Sequence, residues 1–217
     1  MKNLKSVTGI ADGVGLYAQA GMVVFRKVST AAIEGYKSIF SIDNGMQTEY
    51  FRNKGITYAK RRKYPQAVPL LEKTLRKEPR NVDTLFYLGV SCIRTGRQER
   101  GAELLEQGMK VDGSNARIAS ALGMVYMQAK QYKKAVEMLE KALETSGDNF
   151  DLLYRLGMAY DNLKEYGKAI KAFESALQLR PDEAKVYQSI GFAYEQKGDR
   201  KSAVANFKKA LELENSN

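Results

Sequence analysis

The sequence predicts an all-α fold, an α-solenoid of tandem helix–turn–helix repeats that is curved or hook-shaped. Two observations carry this. The first is a column of glycines: Gly55, Gly89, Gly123, Gly157 and Gly191 stand 34 residues apart with no insertion. The second is that other columns move with them. Three residues past each glycine stand Tyr58, Cys92, Tyr126, Tyr160 and Tyr194. Twelve past stand Ala67, Gly101, Ala135, Ala169 and Ala203, sixteen past stand Leu71, Leu105, Leu139, Phe173 and Phe207, and nineteen past stand Thr74, Gly108, Ala142, Ala176 and Ala210.

Small and large residues at fixed offsets in a 34-residue period are the tetratricopeptide signature. Each unit reads as a helix, a tight turn and a second helix. A glycine inside a helix costs about 0.5–1 kcal/mol relative to alanine. Here it admits the partner helix at close range, and the Tyr and Leu/Phe columns fill the space between the two. One such unit cannot bury its apolar side alone, so units stack into one elongated array.

The array divides into residues 48–81, 82–115, 116–149, 150–183 and 184–217. Turn-forming stretches separate the helices of each unit: "RRKYP", "TGRQE", "AKQY", "LKEY" and "KGDR". Pro79 and Pro181 end helices, and Asn115 and Asn149 are placed to cap the helices that follow. The joints Asp112–Asn115 and Ser146–Asn149 carry glycine where the others carry proline, so any hinge is expected there. Residues 1–47 are less regular. Gly21 lies 34 before Gly55, but Ile33 and Lys37 then occupy the alanine and Leu/Phe columns. They read as an N-terminal helical segment, a degenerate repeat over 14–47 or a pair of looser amphipathic helices. Ala32, Ile33, Tyr36, Ile39 and Phe40 recur at helical spacing and form an apolar stripe. It either caps its own array or enters the groove of a neighbouring molecule, which makes Ile33, Tyr36, Ile39 and Phe40 candidates for self-association.

The composition argues against an enzyme. The chain has 217 residues, no histidine and a single cysteine, Cys92, in a tyrosine column. The commonest general base and metal ligand is therefore absent. No nucleophile elbow or glycine-rich phosphate loop is present, and neither catalytic residues, a cofactor nor a metal is expected. One cysteine cannot form an internal disulfide, which suits a reducing compartment. The apolar run near the N-terminus is interrupted by Asp12 and Gln19 and is not read as a signal peptide. No stretch is long and apolar enough to cross a bilayer, so membrane attachment is expected to go through partners or charge.

Binding is expected on the first helices, which line the concave side of such stacks. Their groove positions include Arg52, Ile56, Phe86, Arg94, Met124, Met127, Tyr154, Met158 and Phe192. Phe86, Met124, Met127, Tyr154, Met158 and Phe192 would make an apolar strip, and methionines suit a surface that takes a helix or peptide; some could instead pack between units. Chaperone-binding tetratricopeptide proteins clamp a carboxylate with an asparagine where Ile56 stands, so that sub-function is not expected. The chain carries a formal net charge of +10. Residues 1–115 hold 19 Lys and Arg against 11 Asp and Glu, with Lys60, Arg61, Arg62 and Lys63 as the candidate docking patch. Aromatic residues interleaved with an arginine-rich track are lacking, so nucleic acid is not an expected partner.

The head of the chain resembles a particular family. "LYAQAGMVVFRK", "AAIEGYKSIFSID" and "YFRNKGITYAKRRKYPQAVPLLEK" are similar to the start of the MamA-like proteins, the tetratricopeptide family associated with magnetosomes in magnetotactic bacteria. "YRLGMAYDNLKEYGKAIKAFESALQLRP" and "IGFAYEQKGDRKSAVANFKKALELE" resemble its last two units. Leu16–Lys73 is the specific part, because repeat motifs alone are shared by many proteins. The resemblance implies a non-enzymatic scaffold that self-assembles into homo-oligomers on the cytoplasmic face of the magnetosome membrane. It also implies recruitment of other magnetosome-associated proteins, peripheral contact with the magnetosome surface, and support of biomineralisation. The residues alone leave open a monomeric cytoplasmic peptide-binding adaptor.

Overall fold

A computed structural model describes Thr30 and residues 44–216. The chain divides into two units between Gln47 and Thr48, and the second carries the regular repeats. Ile33, Tyr36, Ile39 and Phe40 lie outside the described residues.

The described residues form ten helices and no strand: α1 (Asn44–Lys60), α2 (Tyr64–Lys77), α3 (Val82–Arg94), α4 (Gln98–Val111), α5 (Ala116–Gln128), α6 (Tyr132–Ser146), α7 (Phe150–Asn162), α8 (Tyr166–Leu179), α9 (Ala184–Lys197) and α10 (Arg200–Asn215). This is an all-α solenoid of helix pairs.

Three helix starts share one device. The side chains of Asn81, Asn115 and Asn149 accept hydrogen bonds from the backbone N–H groups of Thr84, Ile118 and Leu152, at 2.9, 3.2 and 3.2 Å. Each satisfies one of the donors that a helix start leaves open. The turns inside the units also repeat. The N–H groups of Lys63, Arg97, Gln131, Glu165 and Asp199 reach back five residues to the carbonyls of Tyr58, Cys92, Tyr126, Tyr160 and Tyr194, at 2.8–2.9 Å. That closure is the Schellman bond, and it needs a left-handed residue just before the donor. Arg62, Gly96, Lys130, Lys164 and Gly198 fill that position, with φ of 58°, 83°, 56°, 62° and 88°.

Close approach within each unit runs through the glycine column. A Cβ at Gly55, Gly89, Gly123, Gly157 or Gly191 would fall 2.5–2.9 Å from Leu71, Leu105, Leu139, Phe173 or Phe207. The second unit has a second such glycine, since a Cβ at Gly101 would fall 2.4 Å from Cγ1 of Ile93 and 2.7 Å from the carbonyl oxygen of Gly89. The second helix of each unit then packs on the first helix of the next. Leu85, Leu88, Leu105, Ile118, Leu139, Phe173 and Val186 are among the side chains buried between these layers. Cys92 lies in the same core, and burial raises its thiol pKa above the ordinary value, which leaves it a packing residue rather than a reactive thiol.

The joints differ from the sequence expectation. Asp112 accepts hydrogen bonds from the backbone and hydroxyl of Ser114 and from the Asn115 amide, at 3.0–3.2 Å, so Asp112–Asn115 is tied down despite its glycine. Ser146–Asn149 is bonded as well: the Ser146 hydroxyl donates to the Ala142 carbonyl at 2.7 Å and the Gly147 N–H to that of Leu143 at 2.9 Å, with Gly147 itself at a positive φ of 75°.

Candidate interaction surfaces

Successive first helices approach one another, α3 with α5 and α7 with α9, so they form the inner face of the stack. The predicted groove residues divide on this face. Ile56, Phe86, Met127 and Tyr154 are half-buried and pack against the core clusters. The Arg117 guanidinium lies over the Phe86 ring, 4.2 Å from its centroid, and pairs with Asp83 of the preceding unit at 3.3 Å. Tyr154 stacks on Phe150 and leans on Phe173, and Lys185 of the next unit lies 5.5 Å over its ring. These side chains therefore also knit one unit to the next. Met124 lines a small hollow of about 70 Å³ with Val90, Ile93, Arg94 and Gln128. Met158 and Phe192 are exposed, at 37% and 57%. Arg52 is held by Glu78 at 2.8 Å, and Glu78 also accepts from Asn81. Arg94 is exposed.

A second contact between units is a hydrogen bond that two members of the tyrosine column make. Tyr126 donates to Glu106 of the preceding second helix at 2.9 Å, and Tyr160 donates to Glu140 in the same way. Burial, then the bonded carboxylate, push the Tyr126 phenol up to about 12 and move Tyr160 in the same direction.

The strongest electrostatic feature follows from antiparallel helices. All intra-unit turns lie along one edge and all inter-unit loops along the other, about 20 Å away for a 14-residue helix. Lys60, Arg61, Arg62 and Lys63 occupy the first turn and are exposed. The turn segments 60–63, 94–100, 130–134, 164–168 and 197–201 together hold 15 Lys and Arg against 3 Asp and Glu. The loop segments 77–83, 110–117, 144–151, 180–185 and 212–215 hold 6 against 10. Lys60–Lys63 is thus the start of a basic edge that follows the repeat, while Arg76 and Lys77 sit at the far end of α2. The first turn is the densest, and every later turn segment also carries Lys or Arg, though not at one fixed column.

No described helix is long and apolar enough to cross a membrane, and among the described residues no cluster of three or more His, Cys, Asp or Glu could hold a metal ion. What the fold offers is an inner face with exposed apolar side chains, and a charged edge. These define a tetratricopeptide repeat protein, built for protein–protein contact.

The comparisons agree. Residues 52–110 and 184–217 match tetratricopeptide repeat families, and residues 83–190 match the Tetratricopeptide repeat protein 21 C-terminal ARM domain. Magnetosome protein MamA of Paramagnetospirillum magnetotacticum is 40% identical over 80 residues, and that of Magnetospirillum gryphiswaldense 37% over 82 residues. These alignments cover 37% and 38% of both this chain and the relatives. The solved structure of MamA AMB-1 superposes with a TM-score of 0.76 at 41% identity, covering 80% of this chain and 95% of that one. That of MamA MSR-1 gives 0.74 at 39% identity, covering 79% and 98%. The chain belongs to the MamA family.

Proposed function

We propose that this chain is a magnetosome scaffold: it self-assembles into homo-oligomers on the cytoplasmic face of the magnetosome membrane, recruits other magnetosome proteins and supports activation of the vesicle for biomineralisation. The relatives named magnetosome protein MamA motivate the compartment. The observation that carries the peripheral attachment is the basic edge, 15 cations against 3 anions along successive turns. Such an edge is attracted to an anionic surface over about a Debye length, with no inserted segment. Recruitment falls to the inner face, where exposed Met158 and Phe192 and the hollow beside Met124 suit an apolar side of a partner helix.

The test is fractionation of magnetotactic cells that express a tagged copy. The tagged chain is expected to sediment with purified magnetosomes and to leave them in high salt without detergent. A tagged chain spread through the cytoplasm at low salt would contradict the proposal.

A further inference from the structure

The last repeat exposes a side that every earlier repeat covers. In the fourth unit Ile170 and Phe173 of α8 are 5% and 1% exposed, because α9 packs on α8. Their counterparts 34 residues on are Val204 and Phe207 of α10. Val204 is 65% exposed, and Leu211, the counterpart of half-buried Leu177, is 57% exposed. Phe192 of α9 is 57% exposed and meets Phe207 edge-on, with centroids 5.1 Å apart. Between them runs a hollow of about 410 Å³ that Leu211 and Glu214 also line. No described residue lies where a following helix would be.

The charge order along α10 selects the occupant. The helix begins Arg200, Lys201 and its last turn reads Glu212-Leu213-Glu214-Asn215, so its first turn is basic and its last turn is acidic. Lys201, Val204, Lys208 and Leu211 follow one another at three- and four-residue spacing and share one side. We infer that this side is covered by α10 of a second copy, packed antiparallel across a two-fold axis. In that register Lys201 stands opposite Glu214, Val204 opposite Leu211, and Phe207 opposite Lys208, and each pairing occurs twice, as an isologous contact demands. A parallel arrangement would set like charges against each other. Glu214 accepts one bond from Gln188 at 2.6 Å, which fixes its carboxylate and leaves the second oxygen for the facing lysine.

A helix of 16 residues is about 24 Å long and about 10 Å wide. The contact therefore covers a few hundred Å² on each copy, well under the ~800 Å² per partner of a standard stable interface. It is a weak, reversible contact, suited to one link in a larger assembly. The inference deepens the self-assembly reading by naming one of its interfaces.

The test uses the full chain with Val204→Cys and Leu211→Cys. Within one helix these positions lie about 10 Å apart, too far to bridge to each other; across the two-fold axis they meet. Mild oxidation at tens of micromolar is expected to give a reducible dimer on a denaturing gel, at least tenfold faster than a chain with the exposed Lys133→Cys. Adding Lys201→Glu is expected to slow the bridge about fivefold or more, and adding Glu214→Lys as well is expected to restore it. Both cysteine sites are exposed, so the variants are expected to keep the parent circular dichroism. Bridging no faster than the control, or no rescue by the charge swap, overturns the α10 contact. A light-scattering mass above monomer in the same sample would then leave self-assembly standing through another surface.

Discussion

A side chain at Gly157 would set its Cβ 2.5 Å from Cδ1 of Phe173, sixteen residues further on. Phe173 is 1% exposed and has nowhere to move. Replacing a helical glycine by alanine ordinarily gains about 1 kcal/mol. Overpacking costs about 1–3 kcal/mol, so Gly157→Ala is expected to destabilise. Gly157→Leu is expected to lose more than ~3 kcal/mol, read as a lower denaturation midpoint. An unchanged midpoint for the leucine variant would mean that the close approach is not what the glycine column provides.

The turn column gives the opposite expectation. Lys130 and Lys164 hold left-handed backbone, at φ 56° and 62°, which costs a residue with a Cβ about 1–2 kcal/mol. Glycine removes that strain and returns part of the gain through the freer unfolded chain. Lys130→Gly and Lys164→Gly are each expected to stabilise by roughly 0.5–1 kcal/mol, whereas Gly96→Ala and Gly198→Ala are expected to lose a similar amount. Thermal melts of the four variants check both signs.

Alkaline pH probes the tyrosine contacts between units. An unfolded tyrosine ionises near pH 10, while Tyr126 in the folded chain is pushed up to about 12 by burial and by its bond to Glu106. The unfolded state loses its proton first. This contribution to stability is intact below pH 10 and is lost as pH rises from about 10 to about 12. Tyr126→Phe is expected to make the denaturation midpoint fall less steeply over that window. An identical slope in the variant would remove the phenol from the account.

The basic edge is tested with vesicles containing phosphatidylglycerol. Reversing Arg61, Arg62 and Lys63 to glutamate is expected to weaken vesicle binding at least roughly 100-fold, at about 1 kcal/mol for each cation lost near an anionic surface, with repulsion of the new carboxylates in addition. Raised salt is expected to weaken the parent chain in the same direction. Equal binding by parent and variant would move docking to a protein partner on the inner face.

Much of this was legible because the repeat reports itself. The 34-residue register identified the glycine and Leu/Phe columns as partners, and the structure places Gly157 against Phe173 and Gly191 against Phe207. The register also says which residues face inward, but it does not say how far a neighbouring unit covers them. Phe86 was placed on the inner face by its position, while Arg117, which stacks on it, belongs to the next repeat. The left-handed turn column was hidden because Arg62, Lys130 and Lys164 occupy it beside Gly96 and Gly198, and no sequence rule marks lysine as left-handed. Glycine in "VDGSN" suggested a soft joint; the Asp112 side chain, which binds Ser114 and Asn115, overrides it. The bare side of α10 did leave a signal, since Val204 and Leu211 are apolar in the columns where Ile170 and Leu177 are covered by the next unit.

The proposed self-assembly is tested most directly by light scattering of the full chain behind size exclusion at tens of micromolar in moderate salt. A self-assembling scaffold is expected to give a mass at multiples of 24.3 kDa, rising with concentration. A constant 24.3 kDa across the whole range would contradict it and would describe a monomeric peptide-binding adaptor.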